Sequence, residues 1–481
     1  MDRKEAEEFV YRSYLRAAKY HSFSEKDAVR RHPEYTKALL ERKSGTPAVV
    51  VTGSKGKGSV AKMLSEILET RYRVGLMTGP HLLDFCERFQ VNGEKVSSPL
   101  FSMLMEEIRP EIEKIEETIP KESCISPMGI QADFALSYFQ EQHTEWNILE
   151  CGKGAKFDDV NNVLHDYAII NSVFLEHRRE LGESISEIAE DKAHVITGRE
   201  KAAFVGKQTE EALTVIQERA KRLAVPLYFY GKDFWEENLR YTKDGLEFDL
   251  CIFGEQYRKI TLPLFGAYQA RNCALAFATA KRIFVDFQKD WKEAEVRKKL
   301  ASIRWPGRLE LLSKEPFVLL DSCIHRVSCK EVKEVLEELH IRSVLSIIAI
   351  PVDKDYLGVL EEMKDISERI FLSQSRNPHY HFGKEQLRCA AEKGIKAEWK
   401  ASFSEAFSEA KRSALPIVIL GTTSFVAEVE QFKGLVANFL FFFSLSSHFS
   451  LKFSLFFYRL ICISRNPELI PRNWNHFPRS L

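Results

Sequence analysis

Val51-Thr-Gly-Ser-Lys-Gly-Lys-Gly-Ser59 closes a run of three valines and opens a segment with apolar residues at helical spacing. Strand, glycine-rich loop and helix in that order form a cradle for phosphate. Glycines at 53, 56 and 58 allow positive φ and turn backbone N–H groups toward an anion, Lys57 adds a point charge, and the helix adds the positive end of its dipole. The stretch predicts ATP binding by Gly53, Ser54, Lys55, Gly56, Lys57, Gly58 and Ser59. It is not the generic phosphate loop, which would carry glycine at 51 and a hydroxyl directly after the lysine; here Val51 is apolar and Gly58 separates Lys57 from Ser59.

The bulk composition narrows the partners. A chain of 481 residues is too long for one core and predicts two or three domains. Lys+Arg and Asp+Glu both total 69, so no global field draws the chain to nucleic acid or to a membrane surface. Nine cysteines, an odd number without a C-x-x-C pair, read as reduced thiols. The N-terminus is charged from its second residue and has no apolar signal core, so a cytoplasmic location is expected, with a monomer as the expected state.

Outward from the loop, residues 1–45 read as two charged helices leading into the first strand. Apolar runs at Ala48 to Val51, Val74 to Met77, Asn147 to Leu149, Ala168 to Asn171, Ala202 to Val205 and Leu227 to Tyr230 alternate with helical patterns. That alternation predicts an α/β fold: a mainly parallel sheet carrying the phosphate loop, over residues 46–300. A hairpin is expected from Phe248 to Leu264, then a helix from Tyr268 to Phe284. Pro306 and Gly307 mark a junction, and residues 301–432 predict a smaller Rossmann-like α/β domain with strands at Phe317, Val344, Ile370 and Ile417. Its strand ends, Asp321, Asp353 to Asp355 and Gly421, should line one edge facing the nucleotide. Residues 433–481 are a Phe/Leu/Ser-rich tail, which reads either as a frameshifted or read-through extension or as a weak membrane segment; the sequence leaves both open.

Six ordered segments resemble the folylpolyglutamate and dihydrofolate synthase family of the Mur ligase superfamily. They are the loop itself, Gly75-Leu-Met-Thr-Gly-Pro-His-Leu82 with Phe85-Cys-Glu-Arg-Phe-Gln-Val-Asn-Gly93, Leu149-Glu-Cys-Gly-Lys-Gly-Ala-Lys-Phe-Asp-Asp-Val-Asn161, Leu175-Glu-His177 with Lys192, Leu264-Phe-Gly-Ala-Tyr-Gln-Ala-Arg-Asn272, and Trp305-Pro-Gly-Arg-Leu-Glu310. The resemblance implies the central-domain fold of the Mur ligases and an ATP-dependent ligase. Glutamate, or another amino acid, would be joined to a folate-like carboxylate through an acyl phosphate. Two other readings stand beside it: a nucleotide-binding paralogue that no longer ligates, and a ligase for a non-folate acid.

The same resemblance implies the site. Mg2+ would be held by Glu150 and His177 with the Ser59 hydroxyl. Lys57, His177 and Lys192 would be catalytic, Lys192 as a carbamate. Gln269 and Asn272 would approach the adenine, Arg308 the phosphates, and Asp321 would open the family's D-G-A-H-N motif. Independently, Glu150 ends an apolar strand of the loop's own sheet. Lys192 falls on the apolar face of a helix opened by a Ser184/Glu187 capping box with Ile185, Ile188, Ala189 and Ile196. The departures cluster at chemistry. Gly79 replaces a serine ligand, Lys153, Ala155 and Lys156 replace Leu, Gly and Arg, and Ile324 stands where a histidine is expected, with His325 one place late. A T-x-F-E segment is not evident in Pro127 to Asp133.

Overall fold

The valine run Ala48–Thr52 (β1) is buried along its whole length at the middle of an eight-stranded sheet. This computed structural model describes residues 1–20 and 31–432; the tail 433–481 and the readings made for it lie outside the described residues. The other strands of this sheet are Val74–Met77 (β2), Phe89–Val91 (β3), Glu94–Lys95 (β4), Trp146–Glu150 (β5), Tyr167–Ile170 (β6), Ala202–Val205 (β7) and Leu227–Phe229 (β8). Their order is β4-β3-β2-β5-β1-β6-β7-β8, parallel from β2 to β8 with β3 and β4 antiparallel at one edge. Strand period decides which core each valine joins. Val49 and Val51 pack with Val60, Leu64 and Ala270 on one face, while Ala48 and Val50 pack with Phe134, Phe101 and Val10 on the other. With both faces covered, the strands read as unbroken apolar runs.

The lead-in is part of that second core. Helix Arg3–Ala17 starts with an Asp2/Glu5 capping box and buries Ala6, Phe9 and Val10; helix Lys37–Lys43 buries Leu39 and Leu40. A buried carboxylate ties the lead-in down. Asp159 accepts hydrogen bonds from the Thr36 hydroxyl at 2.5 Å and from the Ser126 hydroxyl, which also caps helix Pro127–Glu141. Burial pushes the Asp159 carboxyl up to about 6.

Two further sheets follow. The expected hairpin is a three-stranded antiparallel sheet of Phe234–Thr242 (β9), Gly245–Ile252 (β10) and Glu255–Leu262 (β11). β9 escapes a search for apolar runs because most of its side chains are only half-buried or exposed. The helix expected from Tyr268 to Phe284 spans Ala267–Asp286. The last sheet has Glu310–Lys314 (β12), Phe317–Asp321 (β13), Val344–Ala349 (β14), Ser367–Leu372 (β15), Glu398–Trp399 (β16) and Ile417–Gly421 (β17), in the order β12-β13-β17-β14-β15-β16. All its pairings are parallel except β12 with β13. Asp321 and Gly421 therefore do end neighbouring strands at one edge, with Asp321 opposite Leu420. Met1–Glu428 pack as one compact unit. Among the described residues no helix is long and apolar enough to cross a membrane.

The raised Asp159 value has a sign that can be measured. The folded state holds the proton up to about pH 6, above the ordinary 3.8, so this group's contribution to stability is complete below pH 3.8 and is lost as pH rises to about 6. Asp159→Asn should remove from the unfolding free energy a decline on the order of 3 kcal/mol across that window, read by urea titrations at a series of pH values. Parallel pH profiles for the two proteins would contradict the assignment.

Candidate active site

The phosphate loop is braced by asparagines. Gly53 has φ 143°, and a Cβ there would stand 2.9 Å from Asn171 Cβ; Gly56 has φ 75°, and a Cβ there would stand 2.6 Å from Asn171 Nδ2 and 2.8 Å from Asn272 Oδ1. Both positions need glycine for space as well as for backbone angle. Asn171 Nδ2 donates to Lys55 O at 3.0 Å and to Asn272 Oδ1 at 2.9 Å, and Asn272 Nδ2 donates to Gln269 Oε1 at 3.1 Å. Gln269 and Asn272, assigned by resemblance to the adenine, thus also hold the loop. The Gln269 Nε2 group is buried and has no hydrogen-bond acceptor among the described residues.

Two lysines meet behind the loop. Lys57, first residue of helix Lys57–Leu68, donates from Nζ to Gly53 O at 3.2 Å, and Lys192 Nζ donates to the same oxygen at 3.0 Å. Lys192 is fully buried and is paired with Glu176 at 2.9 Å. Burial, opposed by Glu176, draws its ammonium pKa down. The capping box that starts its helix is present, with Ser184 and Glu187 as expected. The helix ends at Ala193, so Ile196 joins the core from beyond the helix and not from its face.

Glu150, last residue of β5, is buried beside the loop. Its Oε2 accepts from the Thr78 hydroxyl and from Gly79 N at 3.0 Å, and lies 3.2 Å from where a Cβ on Gly58 would stand. At position 79 a backbone N–H thus reaches the carboxylate where the resemblance expects a serine hydroxyl. The open side of Gly79 faces Arg88, whose Nη1 would be 3.1 Å from an added Cβ. Arg88 donates from Nε to His81 Nδ1 and from Nη1 to Gln131 Oε1, each at 2.9 Å, and burial lowers its pKa. His177 sits at the entry of the short helix Arg178–Leu181 with φ 44°, 3.9 Å from Glu176. Burial and then Lys153 lower its pKa. Among the described residues no group of three His, Cys, Asp or Glu side chains stands together as a metal cage.

The loop after Glu150 is pinned from below. Asp158 Oδ2 accepts from Gly152 N and Lys153 N, and Asp191 Oδ1 accepts from Ala155 N at 2.8 Å. Lys153 does not turn to Glu150; its ammonium pairs with Glu180 at 3.0 Å. Lys156 lies 5.4 Å from the Phe157 ring centroid.

On the smaller sheet, Arg308 donates to Ser322 Oγ at 2.8 Å, and buried Asp321 accepts from Leu309 N at 2.8 Å. Burial raises the Asp321 carboxyl to about 6 against the pull of Arg308 and Lys55. The displaced His325 serves the local fold, since its Nδ1 accepts from Ser328 N and caps helix Arg326–Glu338. Asp355 likewise caps helix Tyr356–Met363 and accepts from Arg326 N at 2.9 Å, so its carboxylate is also structural. Thr78, Arg88 and Glu176 lie inside the quoted motifs and Asn171 at the end of a predicted strand, but the sequence assigns none of them a role. For Glu176 a signal existed, since a lysine on an apolar helix face demands a counter-charge.

Comparison with known proteins gives four findings. Residues 51–280 match the Mur ligase middle domain. The chain is 29% identical over 391 residues to the dihydrofolate synthase/folylpolyglutamate synthase of Bacillus subtilis, covering 79% of this chain and 89% of that protein. It is 24% identical over 393 residues to the folylpolyglutamate synthase of Lacticaseibacillus casei, covering 79% and 88%. In fold it is similar to the Mycobacterium tuberculosis folylpolyglutamate synthase solved with ADP and AMPPCP, with a TM-score of 0.75 and 23% identity over 84% of this chain and 96% of that one.

The Lys192–Glu176 pair yields an asymmetric prediction. Removing the carboxylate strands a buried cation, whereas removing the lysine leaves a carboxylate that is 17% exposed and can hydrate. Glu176→Gln should therefore lower unfolding free energy by about 3 kcal/mol, and by more than Lys192→Met does. Equal losses in chemical denaturation would show that the pair is not what neutralises Lys192.

Proposed function

This chain belongs to the folylpolyglutamate and dihydrofolate synthase family of the Mur ligase superfamily, and we propose that it joins glutamate to a folate-like carboxylate using ATP. One observation carries the assignment: the Lys57 and Lys192 ammonium groups converge on one carbonyl beneath a loop whose glycines free its amides for an anion. The triphosphate would lie on residues 53–59, with its adenine toward Gln269 and Asn272 and its phosphates toward Arg308, and with Asp321 also at the nucleotide site. The substrate carboxylate attacks the γ-phosphorus, ADP leaves, and the acyl phosphate is then displaced by the amine of glutamate with loss of phosphate. Lys57 and the loop amides offset charge on the transferring group, and positioning with electrostatics supplies most of the catalysis in such transfers.

A magnesium ion would be held by Glu150 and Ser59 with His177, two oxygen donors and one imidazole, and would neutralise phosphate charge when bound. With no serine hydroxyl at 79, water would fill one place. A carbamate on Lys192 fits this chain poorly. It would set a second anion beside Glu176, which stands 2.9 Å from the ammonium, so we assign Lys192 to holding the Gly53 carbonyl as a cation. We divide the chain into a lead-in of 1–45, a nucleotide-binding domain of 46–300 and a closing domain of 301–432, whose approach would exclude water from the acyl phosphate. Small molecules are its partners, in a cytoplasmic monomer.

A non-folate acid is the second reading, and one observation favours it. Where T-x-F-E is expected, Gly129 stands instead with Asp159 Oδ1 packed 2.6 Å from the place of a Cβ. Purified protein with ATP, magnesium and glutamate, offered reduced folates and a panel of other carboxylic acids, separates the two by which acid supports phosphate release. With the acid that does, Lys57→Ala should cost at least about a hundredfold in turnover, on the order of 3 kcal/mol. An unchanged rate would take the loop out of the mechanism.

A further inference from the structure

One phosphate-loop side chain leaves its own sheet. Lys57 folds back on Gly53, and Ser54 Oγ reaches Phe174 O at 3.3 Å, but Lys55 points to the six-stranded sheet. Its Nζ lies 3.1 and 3.3 Å from the two oxygens of Glu331 on helix Arg326–Glu338, and 5.6 Å from the centroid of the Tyr268 ring. The aromatic face and the carboxylate together make a seat for one ammonium. The pair is partly open to solvent, with Lys55 46% and Glu331 32% exposed, so it is weak and breakable. A triphosphate on the loop brings several negative charges to the same lysine, more than one carboxylate can match.

We propose that Glu331 is a positioning residue for nucleotide binding, which draws Lys55 away from the phosphate seat in the empty chain and surrenders it when nucleotide arrives. Arrival of the triphosphate thereby unties the phosphate loop from helix Arg326–Glu338, coupling nucleotide uptake to the smaller sheet. The inference rests on the phosphate-loop reading above, and gives a role to a residue outside every segment that carries the resemblance.

Calorimetric titration of the full chain with AMPPCP and magnesium tests it on wild type, Glu331→Gln, Lys55→Gln and the double variant. Glu331→Gln should bind the analogue about two- to fivefold more tightly at low salt, a gain matching an exposed ion pair. The gain should shrink at about 0.5 M salt. Lys55→Gln should bind more weakly, and adding Glu331→Gln to it should change nothing, because the two act as one pair. Equal or weaker binding by Glu331→Gln would overturn the proposal, as would the same gain in the Lys55→Gln background, which would mark a diffuse charge effect. Wild type that takes up no analogue would remove the nucleotide reading itself and this inference with it.

Discussion

Two ammonium groups share one carbonyl oxygen, that of Gly53, and the surrounding architecture follows from keeping them there. Like charges held this close repel unless anions balance them; Glu176 pairs with Lys192 at 2.9 Å, and the buried Glu150 carboxylate stands at the same loop. The positive end of helix Lys57–Leu68 adds to the two ammonium groups beside the glycine turn. Such a place is costly when empty and favourable when an anion fills it, so the binding potential is built into the fold before any ligand arrives.

Holding that arrangement takes elements from distant parts of the chain. β1 supplies the loop, the end of β6 supplies Asn171, helix Ala267–Asp286 supplies Asn272 and Gln269, and helix Ile185–Ala193 supplies Lys192. The eight-stranded sheet brings these together because its parallel strands all end at one edge, with the loop leaving β1 between β5 and β6. Glu150 at the end of β5 and Asn171 just past β6 are the loop's neighbours for the same reason. Thr78 and Gly79 follow β2, the next strand along, and so reach Glu150.

Much of this was legible in the sequence. Continuous apolar runs located the parallel strands of both large sheets except β16, since strands buried on both faces carry no alternation to obscure them, whereas the two-residue edge strand Glu398–Trp399 has no apolar run to read. The loop, Glu150, Lys192 and its capping box were readable because each has a strict spacing or a named cap. What was not legible depended on partners distant in sequence. β9 is mostly polar and is held by its pairing with β10, and β12 is a short edge strand after the Trp305 to Glu310 motif. Asn171 and Arg88 act through contacts that no local pattern encodes. His325, one residue out of place against the family pattern, proved to be a helix cap, and Lys153 pairs away from Glu150.

Nucleotide chemistry in this protein requires an anion seated in the glycine turn, and amide hydrogen exchange reads that turn directly. With AMPPCP and magnesium, the amides of residues 55–59 should slow more than those of any other loop, because phosphate oxygens would take hydrogen bonds from their N–H groups, whereas Ser54 N already donates to Ser172 O at 2.9 Å. If the analogue binds but leaves exchange across 55–59 unchanged while protecting another part of the chain, the nucleotide sits elsewhere and the glycine turn is not its seat.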